Sequence, residues 1–166
     1  MRWSKARAVD ETEGMPLPGR YWAILTIALG LCTSVITGTI TNVALPTISR
    51  DLSTDPSMTI WVVNAFQLAT MVALLSFSSL GEIYGYRKIY LFGLVLFTVT
   101  SLFCALSTSF WMLTLSRVLQ GFGAAAISSV NTALLRMIYP KRQLGRGMGI
   151  NAFVVAVSIA AGPTFA

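Results

Sequence analysis

One charged side chain lies inside an apolar segment that is long enough to cross a membrane. Arg117 follows about seven residues of the segment 110–135, which places it about 10 Å deep at the helical rise of 1.5 Å per residue. An arginine at the bilayer centre costs roughly 2.5–3.5 kcal/mol on insertion scales. Two interpretations stay open: the guanidinium reaches back to the headgroups or makes a structural bond, or it faces water or a bound compound.

Small and polar residues follow Arg117 along one helical face, which favours the second interpretation. Gln120, Ala124, Ser128 and Asn131 come at i+3, i+7, i+11 and i+14. A lipid-facing arginine would gain nothing from such a stripe. Other apolar segments carry comparable polar residues, for which hydrogen bonds between helices, worth about 0.6 kcal/mol each, are the alternative; these are Thr33, Thr37, Thr41, Asn64 and Gln67.

Several kinds of chemistry are not supported by the residue types. The chain has no histidine, and Cys32 and Cys104 both lie in apolar segments, where a thiol behaves as a small hydrophobe. We find no nucleophile–base set, metal cluster or phosphate loop, and so predict neither an enzyme, a metal site nor a cofactor. Gly121 and Gly123 lie within an apolar segment and predict close helix packing. No apolar segment contains a carboxylate, which restricts any proton chemistry.

Composition indicates a membrane protein. The 166 residues are 55% hydrophobic and only 11% charged, whereas soluble domains have about 25% charged residues. About 20 apolar residues span a bilayer, and the charge-free stretches approach or exceed that length. The N-terminus has no apolar stretch and so does not read as a signal peptide. We predict an all-α integral membrane bundle, with a tail at 1–20 and helices at about 21–45, 59–80, 89–106, 110–135 and 148–166.

The basic residues predict the orientation. Of the 12 Lys and Arg residues, 10 lie in the tail and in the second and fourth connections, the remaining two being Arg50 and Arg117. Positive residues mark the cytoplasmic side, so we predict a multi-pass protein of the inner (plasma) membrane with a cytoplasmic N-terminus. This placement explains the net charge of +6 without a nucleic-acid partner.

Two short matches suggest an internal repeat. Asn42-Val-Ala-Leu resembles Asn131-Thr-Ala-Leu, and Asn64-Ala-Phe recurs as Asn151-Ala-Phe, with separations of 22 and 20 residues. Three helices per copy would make the second copy inverted, as in many secondary transporters. The sixth helix of such a bundle would follow Ala166, so we expect the chain to be truncated and, alone, not to transport.

Four motifs carry a resemblance to a known family. They are Asn42-Val-Ala-Leu-Pro46 with Asp51-Leu52, the loop Ser78–Lys88, Arg117-Val-Leu-Gln-Gly-Phe-Gly123, and Gly162-Pro163. From about residue 16 onward the chain resembles the N-terminal part of a Major Facilitator Superfamily exporter, of the fourteen-helix drug:proton antiporter branch. The loop departs from the family pattern at Ser78, Glu82, Ile83 and Tyr86. Helix 1 has Thr37 where this branch commonly has an aspartate that partners the helix 4 arginine.

The resemblance implies multidrug efflux by proton antiport, with small amphipathic or cationic compounds as substrates and a full-length protein that is monomeric. It implies a substrate or proton pathway that includes Arg117 and Gln120, together with Asn131, Thr37, Asn42, Asn64 and Gln67. It also implies a gating loop with Glu82, Gly85, Arg87 and Lys88, and an antiporter motif at Gly162 and Pro163 that bends helix 5. Because Thr37 replaces the aspartate, a facilitator or uptake carrier without proton coupling stays open, as does a non-transporting membrane fragment.

Overall fold

Five helices of membrane-spanning length make up the described part of the chain. The structure, a computed structural model, describes residues 17–51, 55–139 and 143–162. All five helices are long and apolar enough to cross a bilayer, which confirms the predicted all-helical membrane fold. They are α1 (Leu17–Asp51), α2 (Pro56–Tyr84), α3 (Tyr86–Ala105), α4 (Phe110–Ile138) and α5 (Leu144–Ala161).

Most helices extend beyond the apolar segments that predicted them. Helix α1 runs from Leu17 to Asp51 and contains Pro46, whereas the apolar pattern placed its limits at 21 and 45. Apolarity marks the lipid-contacting part of a helix, but backbone hydrogen bonding continues until a cap or a break intervenes. Such a cap starts α2, where the Asp55 side chain accepts a hydrogen bond from the Ser57 N–H. Helix α5 begins at Leu144, four residues before its apolar segment, and runs to Ala161.

Helix α4 forms the centre of the bundle and packs mainly against α2 and α3. Of the residues in an 18-residue apolar stretch of α4, 56% are buried, compared with 22% in the corresponding stretches of α1, α2 and α3. Two glycines allow this packing, as predicted. A Cβ added at Gly121 would lie 2.6 Å from the Phe66 carbonyl oxygen, and one at Gly123 would lie 2.8 Å from the Phe97 nitrogen. Small residues at these contacts let helix backbones approach closely in membranes.

Large apolar side chains cover the outside of the bundle. Val72 is 74% exposed, Leu75 76% and Phe153 69%, as expected for side chains that face lipid instead of a protein core. Three tryptophans near helix ends are also exposed, which suits rings at the membrane interface; these are Trp22, Trp61 and Trp111.

A single glycine makes the turn between α2 and α3. Gly85 has φ 95° and ψ 132°, a backbone conformation that residues with a Cβ rarely adopt. Its N–H donates to the Gly81 carbonyl at 3.0 Å, so it ends α2, and α3 begins at the next residue. The two helices can therefore reverse direction with almost no intervening loop.

Candidate functional site

The guanidinium of Arg117 joins two helices through neutral partners. Arg117 lies in the second turn of α4, which Ser109 caps by accepting from the Met112 N–H at 3.3 Å. Its Nη1 donates to Gln120 Oε1 at 2.9 Å, and its Nη2 donates to the Thr41 hydroxyl on α1. The Nε atom is buried and has no hydrogen-bond partner among the described residues. The arginine is thus held in place by the neutral Gln120 amide and Thr41 hydroxyl, and its Nε–H donor is unused among the described residues.

Gln120 extends this contact to a third helix. Its side chain is 1% exposed, and its Nε2 donates to the Ser101 hydroxyl on α3 at 2.7 Å. The Cys104 thiol, one turn further along α3, lies 3.9 Å from Gln120 Oε1. Buried amides are stable when both ends find partners, as here. Helices α1, α3 and α4 therefore meet in one polar cluster, which we define as Arg117, Gln120, Thr41, Ser101 and Cys104.

The Thr41 hydroxyl connects Arg117 to Thr37, the position at which the family resemblance implies an aspartate. Its Oγ1 donates to the Thr37 carbonyl at 2.8 Å while it accepts from Arg117. A hydroxyl has one proton to donate, so this bond to Thr37 directs the oxygen lone pairs to the guanidinium. The carbonyl of Thr37 thus takes part in the cluster through Thr41, although its side chain is not among the partners of Arg117.

A cavity adjoins Arg117 at one end of the bundle. Its volume is about 340 Å³, within the range of about 300–1,000 Å³ that is common for small-molecule sites. The cavity is lined by the end of α1, the end of α3 with its following loop, and the start of α4. The charge pattern predicts that this end faces outward. The lining residues are Ile48, Asp51, Cys104, Ala105, Ser107, Leu113 and Arg117.

The other predicted pathway residues are not part of the polar cluster. Asn131 is buried, and its Nδ2 donates to Asn151 Oδ1 on α5 at 3.1 Å, while its own Oδ1 is buried without a described partner. Asn42 is exposed and donates to the Gly38 carbonyl within α1. Asn64 and Gln67 are exposed on α2. Gln120, also predicted to belong to the pathway, is buried and bonds to Ser101 of α3.

The loop motif lies at the opposite end of the bundle. Glu82 is in the last turn of α2 and lines a second cavity of about 380 Å³ together with Arg136 of α4. The N-terminus of α3 has no side-chain cap and the residue before it is Gly85, so Glu82 does not cap this helix. Arg87 and Lys88 are exposed in the first turn of α3.

Of the predicted antiporter motif, Gly162 alone lies within the described residues. Gly162 packs against Thr39 of α1, where an added Cβ would overlap the threonine side chain. Four residues earlier, the Ser158 hydroxyl lies 3.0 Å from the Cys32 thiol on the same helix α1. The small residue at 162 therefore allows α5 to approach α1. Pro163 lies outside the described residues, and so does the predicted bend at that position.

Sequence reasoning identified Arg117 and Gln120 but not their partners on α3. Ser101 and Cys104 are one turn apart, which was a usable signal for a common face. Thr41 was predicted only as one of several polar residues within the apolar segments. Among residues 17–51, 55–139 and 143–162, no group of three potential metal ligands occurs.

Comparison with known proteins identifies the family. The Major Facilitator Superfamily profile matches residues 27–166. The chain is 64% identical to the uncharacterized transporter YebQ of Escherichia coli K12, over 94% of this chain and 34% of YebQ. It is 32% identical to the riboflavin transporter RibZ of Clostridioides difficile, over 86% of this chain and 31% of RibZ.

A third relative is the tetracenomycin C resistance and export protein of Streptomyces glaucescens, which is 35% identical over 93% of this chain and 29% of that protein. The chain thus spans about a third of the length of these curated relatives. The five helices of membrane-spanning length are consistent with the family match, which covers most of the sequence. The chain belongs to the Major Facilitator Superfamily of membrane transporters.

Proposed function

We propose that the full-length protein exports small amphipathic compounds across the inner (plasma) membrane by proton antiport, as a member of the fourteen-helix branch. The observation that carries this proposal is the partly buried arginine on the central helix, held at the edge of a cavity by Thr41 of α1 and by Gln120 of its own helix. The name of the tetracenomycin C resistance and export protein, 35% identical to this chain, supports the direction of transport.

Arg117 is suited to couple substrate and proton movements because its bonds cross helices. Its contact with Thr41 bridges α1 and α4, so a relative movement of these helices changes the partners of the charge. Because the interior of a helix bundle has a low dielectric constant, a change of hydrogen-bond partners strongly alters the electrostatic energy of the arginine. The three described acidic residues lie near helix ends, so a proton-binding acid within the membrane would belong to the rest of the full-length protein.

Drug resistance in an efflux-deficient host tests the proposal. The full-length protein should confer resistance to at least some amphipathic compounds, and Arg117→Ala should abolish it. Arg146→Ala is the matched control, because it removes an exposed arginine from the start of α5 and should retain resistance. Membrane abundance of each variant is measured in parallel. Unchanged resistance to every compound after Arg117→Ala would count against the proposed role.

A facilitator or uptake carrier without proton coupling is the second candidate. Thr37 stands where the branch commonly has an acid, and its carbonyl, not a carboxylate, contributes to the cluster. RibZ, 32% identical to this chain, is named as a transporter of riboflavin and not as an exporter. Transport by the reconstituted full-length protein should then be independent of an imposed pH gradient, whereas antiport should respond to the gradient and acidify or alkalinise the vesicle interior.

A further inference from the structure

We infer that the cavity beside Arg117 binds the anionic group of an amphipathic compound, most simply a carboxylate. This assignment rests on the proposed transport function and names a substrate class for it. The cavity means here the space lined by the ends of α1 and α3, the loop after α3 and the start of α4.

The first argument is the unbalanced charge of Arg117. Its described partners, Gln120 and Thr41, are both neutral, and its buried Nε–H has no described partner. A guanidinium has five N–H donors in a planar fork that matches a carboxylate. Two of these donors are occupied by the protein, so the fork retains capacity for an additional acceptor. Hydrogen bonds between two charged groups are roughly twice as strong as those between neutral groups.

The second argument is the acidic side chain at the cavity. Asp51 is the only carboxylate that lines it among the described residues, and it is exposed at the end of α1. Ten residues separate Asp51 from Thr41, which is about 15 Å along a helix. Arg117, which bonds to Thr41, therefore lies deeper along α1 than Asp51, and water at the exposed end of the cavity screens the carboxylate. Asp51 therefore leaves the inner part of the cavity positive, which favours anions over cations at Arg117.

The third argument is the apolar lining, which points to an amphipathic compound. Ile48 of α1, Ala105 of α3 and Leu113 of α4 contribute hydrocarbon surface beside the charge. An inorganic anion would leave this surface in contact with water, whereas an aliphatic or aromatic carboxylate would cover it. A charged anchor next to apolar walls is the usual composition of a small-molecule site.

Cys104 provides a direct probe, because its half-buried thiol lines the same cavity. The experiment uses the full-length protein in phosphatidylcholine vesicles, with every other cysteine, including Cys32, replaced by serine. Labelling rates are measured with anionic sulfonatoethyl and cationic trimethylammonioethyl methanethiosulfonate. Each rate is divided by that of the same reagent at Thr108→Cys in a Cys104→Ser background. Thr108 is an exposed residue of the loop after α3, four residues beyond Cys104, and does not line the cavity.

We expect normalised labelling of Cys104 to be roughly ten-fold faster with the anionic reagent than with the cationic one. Octanoate should slow labelling, and octyltrimethylammonium should not. Arg117→Gln should remove both effects. Arg117→Lys should keep the preference for the anionic reagent but weaken protection by octanoate several-fold, since lysine lacks the planar fork. Gln120→Glu places a carboxylate within reach of Nη1 and should also abolish protection.

Equal normalised labelling rates of Cys104 with the anionic and the cationic reagent, with Arg117 and Gln120 unchanged, would overturn the assignment. They would mean that an acid elsewhere in the full-length protein already neutralises Arg117. This comparison needs no Arg117 variant to fold. Protection by phosphatidylglycerol, but not by octanoate, would assign the cavity to lipid headgroups and likewise overturn it. None of these labelling measurements requires transport. If the resistance assay fails while octanoate still protects Cys104, the export function is rejected and the anion site is retained.

Discussion

The Thr41 hydroxyl on α1 accepts a hydrogen bond from Arg117 Nη2 on α4 and donates one to the Thr37 carbonyl at 2.8 Å. The charge of α4 is thus tied to the backbone of α1 by a single side chain. Thr41 is 3% exposed, so no water from the surface replaces it readily. This one contact explains how a transporter helix without an aspartate at position 37 can still hold the arginine.

Replacing Thr41 by valine should destabilise the full-length protein while preserving the shape of the contact. Loss of a hydrogen bond to a charged group costs about 1.5–3 kcal/mol, because the buried Nη2–H is left without an acceptor. Thr41→Ser is the matched control, since it retains the hydroxyl, and should stay close to the wild type. Thermal unfolding in detergent measures both. Equal stability of the two variants would show that the hydrogen bond contributes nothing.

The fold was predictable from this sequence because the charge-free stretches directly reflect what lipid tolerates. The Arg117–Gln120 contact was also predictable, because residues three apart lie on one face of a helix. The partners on α3 were not, because the approach of Ser101 to Gln120 depends on how closely Gly123 packs against Phe97. The end of α1 at Asp51 was also missed, since a helix can continue past Pro46 into water.

Gly123→Ala tests whether the centre of the bundle depends on a glycine contact. The added Cβ would lie 2.8 Å from the Phe97 nitrogen, a backbone atom that can move only if α3 moves. Overpacking of this kind costs about 1–3 kcal/mol. Unfolding of the full-length protein in dodecyl sulfate should therefore occur at a lower detergent fraction.

Gly149→Ala is the control for this substitution. A Cβ at Gly149 meets nothing within 4 Å, and the residue lies inside α5. Alanine is favoured over glycine in a helix by up to about 1 kcal/mol, so this variant should be unchanged or slightly stabilised. If Gly123→Ala behaves like Gly149→Ala, the close approach of α3 and α4 has no energetic importance.

Asp55 should make the start of α2 sensitive to acid. The Ser57 hydroxyl at 2.7 Å, and then the Ser57 N–H at 2.9 Å, hold the pKa of the Asp55 carboxyl below its usual 3.8. Because the folded-state pKa is depressed, its contribution to stability is fully present above the unfolded pKa. The contribution is lost as the pH falls through the folded pKa.

The unfolding temperature of the full-length protein, measured from pH 7 to pH 2.5, checks this expectation. Asp55→Asn keeps an acceptor for Ser57 but does not titrate, so the acid-induced decrease that Asp55 contributes should disappear. Asp55→Ala should lower stability at pH 7 and make less difference at pH 2.5. A decrease of the same size in all three proteins would exclude Asp55 as its source.

The two copies of the predicted repeat differ in one measurable interaction. Asn131 donates to Asn151 at 3.1 Å, whereas the corresponding Asn42 and Asn64 are both exposed and Asn42 bonds within its own helix. A double-mutant cycle with alanine at 131 and 151 should give a coupling energy of about 0.6 kcal/mol, with an upper limit near 1.7 kcal/mol. The cycle at 42 and 64 should give a value near zero in the same unfolding assay. Comparable coupling in both cycles would mean that the full-length protein also forms the Asn42–Asn64 contact. The bundle would then be more symmetric than the described helices indicate.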